Sequence, residues 1–343
     1  MWGQEYTVQI AHDRDEVAAF LNEFALRYDF DSDITLVAKS GDRLLATGSL
    51  RGDVLQCFAV DPEYRGLGLS AAIVDRLVNE AFDRKHTRLF VFTSPDNIDV
   101  FQGMGFRLLA ETHLAALLEI GTPTVDDYVK YLELHAVETD IPVGGLVMNC
   151  NPFTLGHQYL VEKASRSCEH VYVLVVEEDQ SVFPSAVRVD LVKRGTMHLD
   201  NVTVLSSGRY SVSLATFPSY FTSEETAHAE AGAGIDATLY CRYVTKALGI
   251  THRFVGSEPF SPVTAIYNAT MRDVFAQHGI KLVEIPRLKI DGATVSASRA
   301  REALRLGDYH KLSRLLPGTT LDFLRSPQAG GIVAELRTHR GRH

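Results

Sequence analysis

The sequence has few cysteines, no long apolar run and no excess of basic residues, and each absence excludes a class of protein. Its four cysteines are scattered over 343 residues without a C-x-x-C pair, which argues against a disulfide framework or a zinc site. Apolar runs such as VYVLVV (171–176) have the length of a strand and are too short to span a bilayer. The formal net charge of −9 argues against a general nucleic-acid-binding protein but allows a local basic pocket. The N-terminus is charged throughout and resembles no secretory signal, so we expect a cytoplasmic protein without membrane or nucleic-acid partners.

Strands alternating with helices predict an α/β fold in two domains. Hydrophobic residues make up 45% of the chain and charged residues 22%, values typical of a globular enzyme. A polar segment between Pro123 and Pro142 interrupts the alternation, so we predict a first domain over 1–120, a connector over 121–142 with one short helix at 125–134, and a second domain over 143–343. In the second domain the pattern favours a parallel sheet with helices on both faces. The predicted strands are 6–10, 34–39, 44–50, 55–60, 89–93, 113–120, 146–148, 171–176, 202–205, 253–255 and 282–285, and the clearest helix is 70–84. A solvated basic tail is predicted at 337–343.

One turn in the second domain has the features of an anion pocket. The stretch GGLVMNCNPFTLGHQYLVEKA (144–164) runs from an apolar strand through an Asn/Pro turn into an amphipathic helix. In parallel α/β sheets, ligands bind where strands end and helix N-termini supply free N–H groups. Pro152 fixes the turn, Gly156 allows a close backbone approach, and His157 adds a ring N–H beside the Thr154 hydroxyl. The alternative is a histidine that is merely exposed at the start of a helix.

Two signatures in this domain resemble those of the nucleotidyltransferase superfamily, which shares its fold with class I aminoacyl-tRNA synthetases. NPFTLGH resembles the (H/T)-x-G-H signature, and TVSASRAR (294–301) resembles the second signature, I-S-x-T/S-x-x-R, with valine in place of isoleucine. The resemblance implies a Rossmann-like parallel sheet. It also implies that His157 and Thr154 donate hydrogen bonds to phosphate oxygens, while Ser296, Ser298 and Arg301 hold the β- and γ-phosphates.

Longer segments resemble the citrate lyase ligase family. NCNPFTLGHQYLVEKA, TFPSYF (216–221), VGSEPFSPVTAIYNATM (255–271) and VSASRAR carry the similarity, which covers most of 143–315 and extends to the N-terminal domain. A basic residue expected after TFPSYF is missing, which puts one phosphate contact in doubt. An ordinary strand–loop–helix connection is the alternative for the segment after 255. The residues that the resemblance assigns to nucleotide binding are Asn151, Pro152, Phe153, Gly156, Gly256 and Glu258, together with Ser296 and Ser298.

The N-terminal domain resembles the GCN5-related N-acetyltransferase (GNAT) fold. LQCFAVDPEYRGLGLSAAIVDRLVNEA (55–81) resembles the R/Q-x-x-G-x-G/A pattern of an acyl-CoA-binding turn, with Arg65 and Gly68 in place and Ser70 instead of glycine or alanine at the last position. The resemblance assigns Arg65, Gly66, Gly68 and Ser70 to binding of the CoA-like group. A strand, a glycine turn and a helix N-terminus again favour pyrophosphate binding. No convincing base or acid is evident. We therefore leave open whether this domain catalyses acyl transfer or only binds a CoA-like group, and a turn without a ligand is the alternative.

The resemblance implies an acid–thiol ligase that consumes ATP and acetate. Such an enzyme acetylates the thiol of the phosphoribosyl-dephospho-CoA prosthetic group on the acyl carrier (gamma) subunit of citrate lyase, and it releases AMP and diphosphate. Mg²⁺ is expected through phosphate oxygens rather than at a protein metal site. The alternatives are a phosphopantetheine adenylyltransferase-type enzyme fused to an acyl-CoA-binding domain, an acetyltransferase that senses nucleotide, and a non-catalytic binding protein.

Overall fold

A computed structural model describes residues 6–177, 181–211, 225–257 and 262–338. Its strands are β1 Thr7–Ile10, β2 Ile34–Ser40, β3 Arg43–Arg51, β4 Val54–Val60, β5 Arg88–Thr93, β6 Arg107–Glu111, β7 Ala116–Gly121, β8 Val143–Met148, β9 His170–Val175, β10 Val202–Ser206, β11 His252–Gly256, β12 Lys281–Ile285, β13 Lys289–Ile290 and β14 Ala293–Thr294. Its α-helices are α1 Arg14–Asn22, α2 Leu69–Asp83, α3 Ile98–Gly103, α4 Val125–Glu133, α5 Leu155–Ser165, α6 Ser185–Thr196, α7 Glu225–Leu239, α8 Lys246–Leu248, α9 Pro262–Gln277, α10 Ala297–Arg305, α11 Tyr309–Ser313, α12 Gly318–Arg325 and α13 Gly330–Thr338.

The contacts divide the chain into two compact units that are not continuous in sequence. Among the described residues, the first unit contains 6–128, 225–239 and 262–271, and the second contains 129–177, 181–211, 240–257 and 272–338. The division falls inside α4 and inside α9. The domain boundaries drawn from the sequence, with a connector over 121–142, stay a prediction.

The first unit is built on a mixed sheet with the strand order β1-β2-β3-β4-β5-β7-β6. Neighbouring strands are antiparallel except β4 and β5, which run parallel and pair only at Val54–Phe90 and Leu55–Val91. The apolar stripe of α2, which includes Ile73 and Leu77, is buried against one face of this sheet. The helix predicted at 70–84 is therefore confirmed, within one residue at each end.

One strand of the first unit was missed by the sequence analysis. The strand predicted at 113–120 begins only at Ala116, as β7, and it forms a hairpin with β6, which was not predicted. Thr112 turns the chain between them, because its side-chain oxygen accepts hydrogen bonds from the backbone N–H groups of Leu114 and Ala115. β6 is a five-residue edge strand with charged residues at both ends, so it lacks the apolar run that marks the inner strands.

The second unit confirms the predicted parallel sheet. Its strand order is β10-β9-β8-β11-β12, and every pairing is parallel. The connector helix predicted at 125–134 is confirmed as α4, and the predicted tail at 337–343 begins inside α13, with the remainder outside the described residues. No helix in the described ranges is long and apolar enough to cross a membrane.

The topology of this sheet brings three loops together. Because all five strands point the same way, the chain leaves β8, β11 and β12 at one edge, and these strands are neighbours. The turn at 149–154 follows β8 and leads into α5, whereas Gly256 ends β11 and Ile285 ends β12. This edge therefore contains the (H/T)-x-G-H turn.

Candidate active site

The start of α5 is fixed by a reciprocal pair of hydrogen bonds between Thr154 and His157. The backbone N–H of His157 donates to Thr154 Oγ1 over 3.3 Å, and the backbone N–H of Thr154 donates to His157 Nδ1 over 3.1 Å. This arrangement is a capping box with histidine in the place usually taken by Glu or Gln. Since Nδ1 accepts, the proton of the neutral ring lies on Nε2. The helix start therefore selects the tautomer that makes Nε2 a donor.

The His157 ring is held in its neutral form. Burial, with a smaller contribution from the positive charge of Arg287, lowers the pKa of His157 to about 4. The residue is nevertheless partly exposed, and its ring stacks on Phe153 with the two centroids 5.9 Å apart. At neutral pH this side chain can donate a hydrogen bond to a phosphate without taking up a proton.

The same pKa predicts how stability depends on pH. The ordinary pKa is 6.5 and the folded value is about 4, so between these values the unfolded chain binds a proton that the folded chain does not. The contribution of His157 to the free energy of unfolding is therefore fully present above pH 6.5 and is lost as the pH falls toward 4. Relative to His157→Gln, we expect the wild-type free energy of unfolding to fall by roughly 2–3 kcal/mol between pH 7 and pH 4, in denaturant titrations. Parallel curves for the two proteins would contradict the lowered pKa.

The turn before α5 is buried rather than open. Asn151 is 5% exposed, and its Oδ1 accepts from the backbone N–H of Phe183 over 3.2 Å. Phe153 is fully buried, and its carbonyl accepts from Thr320 Oγ1 over 3.0 Å. Burial raises the pKa of the Cys150 thiol well above its usual range, which suits a packing residue rather than a nucleophile. These contacts give the turn its shape, while the nucleotide contacts assigned to Asn151, Pro152 and Phe153 stay predictions.

Phe153 fills the space beside Gly195 of α6. A Cβ at position 195 would lie 2.8 Å from Phe153 Cδ1, closer than real Cβ atoms approach. Gly195→Ala is therefore expected to lower the free energy of unfolding by about 1–3 kcal/mol through overpacking, measured by chemical denaturation. Gly331→Ala in α13 is the matched control, because nothing lies within 4 Å of its Cβ position. Equal stability of the two variants would show that Phe153 is not tightly packed.

The second signature lies directly against the first. Ser296 caps α10 by accepting from the backbone N–H of Arg299 over 3.3 Å. Arg301, in the same helix, donates through Nη1 to the carbonyl of Asn151 over 2.6 Å and lies 3.4 Å from Ser298 Oγ through Nη2. Burial lowers the pKa of Arg301, but an arginine remains charged. A hydrogen bond thus joins residues that are 150 positions apart in sequence.

Gly156 lies close to the backbone of the second signature. A Cβ at this position would lie 3.1 Å from the carbonyl oxygen of Val295, the residue before the α10 cap. The group that closely approaches Gly156 in the structure is thus the backbone of the second signature. A contact between Gly156 and a nucleotide stays a prediction. Gly256 lies at the neighbouring strand end, whereas Glu258 and the segment 216–221 lie outside the described residues.

Sequence reasoning missed Arg188, the largest fully buried side chain of the second unit. Its Nη1 donates to the carbonyl and to the Oδ1 of Asn149, both over 2.9 Å, and to the carbonyl of Val176 over 2.5 Å. Its Nε donates to the carbonyl of Phe183 over 2.8 Å. Arg188 thus ties the turn after β8 to the segment after β9. Its burial could have been predicted from its spacing, because Arg188 lies on the same face of α6 as the apolar residues Leu191 and Val192.

The glycine turn of the first unit has the backbone that the sequence predicts. Gly66 and Gly68 have φ angles of 80° and 78°, in the left-handed region that favours glycine. Gly68 is the N-cap of α2, so no side chain caps this helix, and Arg65 is exposed beside it while Ser70 lies in the first turn. The helix start offers backbone N–H groups to an anion.

No obvious catalytic base adjoins this turn. Glu63 and Asp61 both form ion pairs with Arg43, at 2.8 Å and 2.7 Å. Burial raises the pKa of the Cys57 thiol, on β4, to about 12, so it is not a ready nucleophile. Within the described ranges, no group of three or more His, Cys, Asp or Glu side chains could hold a metal ion.

The fold and the site define a class of two-unit proteins. One unit resembles an acetyltransferase, and the other is a parallel sheet with a T-x-G-H turn at the start of a helix. A family model described as Acetyltransferase (GNAT) family matches residues 5–106, and one described as Citrate lyase ligase C-terminal domain matches residues 143–324. The chain is 36% identical over 316 residues to the [citrate [pro-3S]-lyase] ligase of Klebsiella pneumoniae, covering 91% of this chain and 92% of the relative. It is 35% identical over 317 residues to the corresponding ligase of Escherichia coli K12, covering 91% and 90%. The chain belongs to the citrate lyase ligase family.

Solved structures show weaker similarity. Thermotoga maritima TmcAL bound with alpha-thio ATP is 15% identical with a TM-score of 0.37, over 54% of this chain and 55% of that chain. Mycobacterium tuberculosis Rv2747 in complex with CoA and NLQ is 20% identical with a TM-score of 0.30, over 34% of this chain and 99% of that chain. At these scores neither structure supports an argument about function.

Proposed function

We propose that the protein is an ATP-dependent acid–thiol ligase that activates citrate lyase. It uses acetate and ATP to acetylate the thiol of the phosphoribosyl-dephospho-CoA prosthetic group on the acyl carrier (gamma) subunit, and it releases AMP and diphosphate. The observation that carries the proposal is the hydrogen bond from Arg301 to the Asn151 carbonyl, which joins the two signatures at the edge of the parallel sheet. The similarity to citrate lyase ligases over nine-tenths of the chain supplies the substrate.

The described side chains suit an in-line attack of an acetate oxygen on the α-phosphorus of ATP. This reaction needs no covalent enzyme intermediate, so the protein contributes positioning and charge stabilisation. The Nε2–H of His157 and the guanidinium of Arg301 are donors that suit phosphate oxygens. Ser296 and Ser298 add hydroxyl groups at the start of α10.

We expect Mg²⁺ to be held by the phosphate oxygens of the nucleotide rather than by a cluster of protein side chains. The described residues offer no cluster of metal ligands, and a magnesium ion is commonly held by phosphate oxygens and water. When bound, the ion would neutralise charge on the phosphate chain.

The second step forms the thioester. The thiol attacks the carbonyl carbon of acetyl adenylate, the bond from that carbon to the phosphate oxygen breaks, and AMP leaves while the thiol proton is released. The first unit binds the CoA-like arm at the uncapped start of α2, beside the glycine turn of Gly66 and Gly68. The absence of an evident base near that turn supports a binding role.

The product distinguishes this function from the phosphopantetheine adenylyltransferase alternative. Purified protein is incubated with ATP, Mg²⁺, acetate and deacetylated citrate lyase, and AMP release and recovery of lyase activity are followed. We expect both to rise together and to require acetate. Formation of a dinucleotide such as dephospho-CoA from phosphopantetheine, or acetyl-CoA consumption without ATP, would contradict the proposal.

The binding role of the first unit is tested best by a charge reversal. Deleting residues 1–120 would also uncover α7 and the start of α9, which belong to the same compact unit. Arg65→Glu is expected to raise the KM for the carrier about tenfold and to leave the KM for ATP unchanged, because only the turn after β4 loses an anion-binding charge. Arg84→Glu, at the other end of α2, is the control, since Arg84 is equally exposed. Equal KM values for the carrier in the two variants would argue against a ligand at this turn.

A further inference from the structure

Arg287 belongs to the sheet edge where the two signatures meet. It lies two residues beyond β12, and the last residues of β11 and β12, Gly256 and Ile285, are paired in register. The backbone N–H of Ser257 donates to the carbonyl of Ile285 over 2.9 Å, which holds the two strand ends together. Arg287 therefore starts at the edge of the sheet that faces α5.

The Arg287 side chain lies beside Gly256, the last residue of β11. Its Cγ and Nε lie 3.8 Å and 3.9 Å from the position that a Cβ would take at Gly256. The positive charge of Arg287 also contributes to the lowered pKa of His157, although less than burial does. Although Arg287 is exposed as a residue, the protein atoms around its guanidinium desolvate it enough to lower its pKa.

The chain after Arg287 returns directly to the site. β13 and β14 form a short antiparallel hairpin, and the backbone N–H of Val295 donates to the carbonyl of Leu288 over 2.9 Å. The Val295 carbonyl is in turn the group that packs against Gly156. The neighbour of Arg287 in sequence, Leu288, is thus hydrogen-bonded to Val295, and Val295 packs against Gly156 at the start of α5.

A nucleoside triphosphate carries several negative charges, and a planar guanidinium binds phosphate oxygens in pairs. The position of Arg287 supplies such a group beside the neutral His157 donor.

We propose that Arg287 is a nucleotide-binding residue that contacts the phosphate chain of ATP next to His157. The inference rests on the proposed function, because that function makes ATP the nucleotide. It adds a binding residue that neither signature contains.

The test measures equilibrium binding of ATP and of adenosine to the full chain by calorimetry. Arg287→Gln is expected to weaken ATP binding at least tenfold and to leave adenosine binding unchanged, because adenosine has no phosphate. Lys289→Gln is the matched control, since it removes the same charge from an exposed residue two positions away, and it should change neither affinity by more than about twofold. Arg287→Lys should bind ATP more tightly than Arg287→Gln.

The outcomes separate this inference from the proposed function. If Arg287→Gln binds ATP as well as the wild type does, the inference is wrong while the ligase proposal stands. If the wild type binds no ATP, both fail. A second measurement needs no variant: phenylglyoxal modification of the wild-type protein, mapped by mass spectrometry, should be blocked at Arg287 by ATP but not by adenosine. Equal modification with and without ATP would overturn the inference.

Discussion

Replacing His157 with alanine is expected to lower the turnover number for acetate-dependent AMP release about 100- to 1,000-fold. This is the usual cost of removing one donor that stabilises developing charge in a transition state. The capping box leaves His157 Nε2 as a donor, and the lowered pKa keeps the ring neutral over the working pH range. The measurement is the steady-state rate with saturating ATP, acetate and carrier. His198→Ala is the control, because that histidine lies on the surface beside Glu162.

A second substitution separates catalysis from helix capping. Glutamine at the N3 position can reach back to the N-cap backbone N–H, so His157→Gln retains the capping box that alanine removes. We expect His157→Gln to unfold at nearly the wild-type denaturant concentration at pH 7 and still to lose most of its turnover. A glutamine variant with wild-type turnover would show that His157 acts only as a cap.

Replacing Arg188 with methionine is expected to lower the free energy of unfolding by about 2–4 kcal/mol, because several oxygen acceptors lose their hydrogen-bond donor. The substitution leaves the carbonyls of Asn149, Val176 and Phe183 without this donor in the protein interior. The measurement is chemical denaturation of the full chain. Lys193→Met on the same helix is the control, since Lys193 is exposed and should change stability by less than about 0.5 kcal/mol.

The Arg188 substitution should also affect the site. The turn that it holds begins at Asn149 and leads into the capping box at Thr154, so a loosened turn displaces the His157 donor. We therefore expect Arg188→Met to have lower turnover even at temperatures where it is fully folded. A folded variant with normal stability would show that the buried guanidinium is dispensable.

Local pattern was sufficient to predict much of the fold. The strand, turn and helix around 144–164 were predictable because an apolar run, an Asn/Pro turn and an amphipathic helix each have a local signal. The glycine turn at 66–68 was predictable for the same reason, since a φ near 80° is a property of the residue type. β6 was not, because an edge strand with charged ends lacks such a signal.

Contacts between distant segments explain what the sequence could not give. The turn at Asn151 and Phe153 is held by hydrogen bonds from Phe183, Thr320 and Arg301, and none of these is near in sequence. The close packing of the Val295 carbonyl against Gly156 likewise joins segments that are far apart in sequence. From the sequence, only the resemblance to a known family indicated that the two signatures lie close together.

Arg287 illustrates the same limit for function. It belongs to no signature, and its sequence neighbours PRLKI give no reason to place it near His157. Its position follows from the order of strands in the sheet, which makes the ends of β11 and β12 neighbours.

The most direct test of the central claim is a crystal structure of the full chain with a non-hydrolysable ATP analogue. The account predicts the triphosphate at the N-terminus of α5, within hydrogen-bonding distance of His157 Nε2 and facing the start of α10 at residues 296–301. A triphosphate bound elsewhere in the protein, with the space between residues 151–157 and 296–301 empty, would contradict it.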